Sequence, residues 1–275
     1  MTNFHVIAGA DGAPASPDIR HIEIGDLYDC LRAGYGDFMA KPSQVIFIII
    51  LYPIIGVVLA AWTSGANALP LLFPLVSGFA LLGPFAAIGL YEISRRRERG
   101  MDTSWRHALA LRHSPALPSI AAVGALLVTV FVAWLLVAQS LHTLLFGPEM
   151  PQSLAALADQ VFGTREGWLL IVIGNAIGLA FAIVVLTTTV IAFPLLIDRD
   201  VGAWAAIQTS ARAVMENPLT MAVWGLMVAI LLAIGSLPLF AGLVVVFPIL
   251  GHATWHLYRK VVVDSGSRRT ASPNA

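Results

Sequence analysis

Two imidazoles stand four residues apart, His252 and His256. That interval places both on one helical face, the arrangement with which a pair of histidines can hold a metal ion. Hydrogen bonds at the lipid headgroup level are the other role open to them, because a metal needs further ligands and no Cys or third His lies nearby. Glu92 follows Tyr91 and precedes Ser94 and Arg95. As a carboxylate within an apolar block it would be a proton or cation site; as an interfacial group it would pair with Arg95 or Arg96, three and four residues on. Asn175 and the run Thr187, Thr188, Thr189 would line a polar path or tie helices together by hydrogen bonds. Asp198, Arg199 and Asp200 form a charged joint that serves either as a salt-bridged corner or as an acid pair. A phosphate-binding loop, a nucleophile elbow, a zinc-protease motif and a CxxC pair are all absent from the sequence.

The elements that must carry these residues are apolar. The chain has 275 residues, of which 58% are hydrophobic and 12% charged, about half the charge of an ordinary soluble domain. With a mean hydropathy of +0.82 it falls in the membrane class. One cysteine, Cys30, excludes an internal disulfide framework, a four-Cys zinc site and Cys-ligated iron–sulfur clusters. Residues 1–23 and 264–275 read as a disordered leader and tail, and 24–263 as one membrane domain. Its apolar blocks predict six spans, at 45–62, 69–93, 118–141, 168–197, 218–235 and 237–258.

Placement of the basic residues orients these spans. Sixteen Lys and Arg balance sixteen Asp and Glu, so no nucleic-acid footprint shows. Of the sixteen, only Arg165 falls outside the two termini and the second and fourth connections. An excess of Lys and Arg marks the cytoplasmic side, so both termini are expected there, with the loop 142–167 opposite.

Three stretches, Asp26 to Pro42, Asp102 to Pro118 and Asp200 to Pro218, open with Asp, close with Pro and place apolar residues at helical intervals. They include Leu27, Leu31, Tyr35 and Phe38 in the first and Val201, Trp204, Ala211 and Val214 or Met215 in the third. Each reads as an interfacial helix on the cytoplasmic leaflet, capped by its Asp, ahead of a helical hairpin through the membrane. The returning spans share a proline, Pro84, Pro194 and Pro248. The expected fold is therefore all-α, a polytopic membrane bundle with amphipathic cytoplasmic helices and a threefold internal repeat.

Four stretches together resemble a known family: YPIIGVV at 52–58, LLGPFAAIGLYEISRRRERG at 81–100, FPLLIDRDVGAWAAIQTSARAVMENPLTMAVW at 193–224 and FPILGHATWHLYR at 247–259. This pattern is similar to the bacterial integral membrane proteins grouped as domain of unknown function 2189, over roughly 24–263. The resemblance implies an inner-membrane location and supplies no reaction and no catalytic residues.

No cofactor or metal is expected. The reading that fits best is a non-enzymatic accessory or scaffold component of a membrane complex, in contact with the bilayer and with a membrane-protein partner or a second copy. The alternative is a small transporter or channel for a lipid-like or neutral solute, with the three prolines around its path. An enzyme using Glu92, His252 and His256 is the third class.

Overall fold

In the computed structural model, residues 17–40, 69–103, 114–148, 151, 153–238 and 240–263 are described. The span expected at 45–62 and most of the second amphipathic stretch lie outside them. The described residues are helical, apart from turns and one isolated antiparallel bridge between Ile19 and Val262. The helices are α1 (Ile24–Ala40), α2 (Leu72–Leu81), α3 (Gly83–Ala86), α4 (Ile88–Glu98), α5 (Leu117–Phe146) and α6 (Leu154–Gly163). After these come α7 (Arg165–Thr189), α8 (Ala192–Asp198), α9 (Ala203–Glu216), α10 (Pro218–Ser236) and α11 (Leu243–Val261). Among the described residues three stretches are long and apolar enough to cross a membrane: α5, α7 with α8, and α10.

The chain divides into two compact units. One comprises residues 1–47, 84–124 and 186–275, and the other 48–83 and 125–185.

In the first unit α1 packs along α11, running antiparallel. The chain entering α1 bonds to the end of α11, with Arg20 N donating to Val261 O at 2.8 Å and Val263 N to Asp18 O at 3.0 Å. The same entry is held by the joint between α9 and α10, where Ile22 N donates to Asn217 Oδ1 at 2.9 Å and Thr220 Oγ1 to Ile22 O at 3.0 Å. Further along, Gly34 faces Ala253 so closely that a Cβ on Gly34 would lie 2.6 Å from the Ala253 nitrogen. Only glycine permits that approach. Asp26 does not cap α1 from in front of it: it sits inside the first turn and its Oδ2 accepts from Glu23 N at 2.9 Å, half of a capping box. Asp200 is likewise not the cap of α9, which begins after Gly202 at φ +80°.

Proline explains the break between α7 and α8. Pro194 has no N–H for the α-helical ladder and costs no ladder bond in a first turn, and α8 restarts at Ala192 with Pro194 in that turn. Ile191 N, left over at the break, donates to Ser210 Oγ of α9 at 3.2 Å. Pro84 likewise sits in the first turn of α3, whereas Pro248 lies inside a continuous α11. The inward face of α9 is small (Ala203, Ala205, Ala206, Thr209, Ser210, Ala213), and it packs on α8. Its large residues, Trp204 and Met215, are exposed.

The second unit is organised around Trp134 of α5. Its ring lies 5.6 Å from that of Phe181 on α7, and its Nε1 donates to Pro74 O of α2 at 2.9 Å. At the turn from α6 to α7, Thr164 Oγ1 donates to Gln160 O at 2.6 Å and accepts from Gly167 N at 2.9 Å. A Cβ at Gly167 would lie 2.1 Å from Val161 O, which excludes any side chain there.

Candidate functional site

The polar residues of the first unit gather where α1, α4, α8 and α11 meet. Asp37 is at the centre. It lies on the inward face of α1 with Leu27, Cys30, Gly34 and Phe38, and is 6% exposed. A carboxylate so placed needs compensation from its neighbours. Arg97 Nη1 donates to its Oδ1 at 2.5 Å, Ser94 Oγ to its Oδ2 at 2.5 Å and His256 Nε2 to the same oxygen at 2.9 Å. Burial alone would push the Asp37 carboxyl up, yet the bonds from His256 and Ser94 hold it below the usual carboxylate value.

Ser94 also lies 2.8 Å from His252 Nδ1. A hydroxyl has one proton to give, so the direction of the Ser94–His252 bond follows the tautomer of the imidazole. His252, Ser94, Asp37 and His256 thus form one hydrogen-bonded chain across α11, α4 and α1. His252 is fully buried, while the His256 side chain is 26% exposed and brings the chain to the surface.

Two further carboxylates bind the same helices. Glu98 Oε2 accepts from Trp255 Nε1 and its Oε1 from Arg259 Nε, each at 3.0 Å. Asp198, at the end of α8, accepts from Arg99 Nη2 at 2.6 Å and from Tyr258 Oη at 2.7 Å. Arg199 and Arg259 approach Asp198 at 3.7 Å. At the far end of the α1–α11 pair, Lys260 Nζ donates to Asp26 Oδ1 at 2.6 Å and to Asp29 Oδ2 at 2.8 Å. These bonds hold the Lys260 ammonium above its ordinary value and lower Asp26.

Glu92 is 2% exposed and fully engaged within its own helix: Arg95 Nε donates to Oε2 and Arg96 Nε to Oε1, both at 2.7 Å. Glu92 is therefore paired with Arg95 and Arg96, the basic residues three and four positions on. His252 and His256 do come together with a carboxylate, but with Asp37 rather than Glu92. Among the described residues no three His, Cys, Asp or Glu side chains converge in a way that would hold a metal. Asn175 stands apart on the exposed side of α7 and donates to Ile171 O of its own helix at 2.7 Å. Gly174 and Gly178 are covered within the second unit by Leu141 and Trp134. An open apolar groove of about 330 Å³ lies beside them, lined by Leu136, Val137, Ser140, Leu141, Leu144 and Ile177.

Sequence reasoning missed Asp37, Ser94, Glu98 and Tyr258. Asp37 carried a signal: it is in helical phase with Leu27, Cys30, Gly34 and Phe38, so a charge stood on the face that packs.

The arrangement is one in which charge joins helices. Residues 71–198 match the model of the family described as predicted integral membrane protein, domain of unknown function 2189. The family is the one the sequence resembles, and the chain is a membrane-integral protein. The matched stretch is shorter than the 24–263 over which the resemblance was read; it takes in α2 to α8 and ends at Asp198. No curated protein and no solved structure matches the chain.

Proposed function

We propose that this protein is a non-enzymatic accessory or scaffold component of a bacterial inner-membrane complex, with six spans and both termini in the cytoplasm. The observation that carries this reading is the contrast between the two sides of α1 and α9. Each helix is locked inward and presents large apolar residues outward: Tyr28, Tyr35 and Met39 on α1, Trp204 and Met215 on α9. The inward residues Gly34 and Ser210 contact Ala253 and Ile191 respectively, so the outward residues are presented by fixed helices. Aromatic and Met side chains held on a rigid element suit a protein partner.

Photo-crosslinking amino acids at Tyr35 and Trp204, in cells at natural abundance, are expected to capture the same membrane protein, and Trp204→Glu to release it without unfolding the chain. Capture of lipid alone at both positions would remove the scaffold reading. The transport alternative draws support from the helix restarts at Pro84 and Pro194. Under it, Asn175→Ala would abolish flux of a neutral solute into proteoliposomes; unchanged flux would dismiss that residue from a path.

A further inference from the structure

The fourth span has an unusual outer side. Only 6% of its most apolar stretch is buried within the chain, and its inner side, Gly174 and Gly178, is already occupied by Leu141 and Trp134. About a quarter-turn round the helix from these glycines stand Trp168, Val172, Asn175, Leu179 and Ala182, all exposed. Their spacing is four, three, four, three, the seam of a left-handed coiled coil, with the asparagine at its middle.

Asn175 is the residue that lipid cannot satisfy. Trp168 marks the membrane interface, and seven residues of helix place Asn175 about 10 Å deeper, in hydrocarbon. One amide hydrogen returns to Ile171 O. Among the described residues nothing else bonds the side-chain carbonyl or the other N–H, and in hydrocarbon an unmet amide is costly. An amide carries both a donor and an acceptor, so it is complementary to a second amide. Two copies related by a two-fold axis along the membrane normal keep every residue at the depth of its mate, so Asn175 would meet Asn175.

We propose that the Trp168–Ala182 seam of α7 is a homodimer interface, two copies packing in parallel with their Asn175 side chains bonded to each other. The proposal goes beyond the scaffold reading and does not depend on it. The Asn pair sets register, and the apolar neighbours supply packing against the mate.

The test uses the full chain in phosphatidylethanolamine–phosphatidylglycerol vesicles, with association read by energy transfer between labelled copies. Asn175→Leu is expected to weaken association roughly 3- to 30-fold. Single cysteines in a Cys30→Ala background give a second readout that does not rest on one variant. Oxidative cross-links between copies are expected at 168, 172, 175, 179 and 182, and not at Ile173 or Ile177, which face elsewhere. Association unaffected by Asn175→Leu would overturn the proposal. So would cross-links without the four–three phase, or the capture of Asn175→Cys by another protein.

Discussion

Asp37 joins three helices through one carboxylate, and the cost of losing it can be estimated from what its partners keep. Replacing Asp37 by Asn leaves Arg97 without its anion and removes an acceptor from His256 or Ser94. A fully buried pair broken in this way costs about 3–5 kcal/mol, but the Arg97 side chain is 42% exposed and regains water. The expected loss is about 2 kcal/mol, measured as a shift in the unfolding midpoint in detergent. Glu216→Gln is the contrast. Its pair with Arg212 spans 3.5 Å with both side chains more than a third exposed, so the change should be under about 0.5 kcal/mol. The effect of Asp37 also has a pH signature. Its folded value lies below the ordinary 3.8, so its contribution is complete at neutral pH and is lost as the pH falls from that value toward the lower one. The stability curves of the wild type and Asp37→Asn should therefore converge in acid. Curves that stay parallel would show that Asp37 is not held as an ionised partner.

At the scale of elements, the docking of α1 on α11 can be tested through its closest contact and its only thiol. Cys30 is fully buried on the packed face of α1, and burial pushes its thiol up to about 12. Native protein should resist maleimide and react fully once unfolded. Gly34→Val forces side-chain atoms into the Ala253 backbone and should cost about 1–3 kcal/mol. Cys30 should then label at least ten times faster, because α1 must lift for the valine to fit. Labelling as slow as wild type would mean that the helices do not pack through this glycine. Sequence periodicity located α1, α9, α10 and the long apolar helices, since amphipathic and lipid-length patterns extend over many residues. It did not show which residues face inward. Tyr35 and Trp204 are outward while Gly34, Ala206 and Ser210 pack, because close helix contact selects small residues whose hydrophobicity is weak. Asp37 was overlooked for a related reason: its three partners come from positions 57 or more residues away, and no local spacing announces such a meeting.

For the whole molecule the paired ends impose a parity. Ile19 and Val262 form a bridge, flanked by the bonds Arg20 N to Val261 O and Val263 N to Asp18 O, so these two backbone segments lie on one side of any membrane the chain crosses. The number of crossings between them must then be even. The strongly apolar stretches α5, α7 with α8, and α10 are three candidate spans among the described residues, and if each of them crosses, an even count calls for at least one more. Six spans meet this condition, as four would. Side-chain bonds point the same way: Arg99 after α4 and Tyr258 in α11 both reach Asp198 at the end of α8, so these ends share a side, and with Arg95, Arg96 and Arg97 it is a basic one. Charge asymmetry made that side legible in the sequence, but the count of crossings depends on segments whose apolar character is diluted by buried polar residues such as His252. Reporters fused before Met1 and after Ala275 should therefore both be active in the cytoplasm, while one inserted after Gly147 should be active only across the membrane. Fusions at the two ends that reported opposite sides would be incompatible with the Ile19–Val262 bridge, and with it the docking of α1 on α11. Two ends both outside would preserve the even count and reverse only the orientation taken from the basic residues.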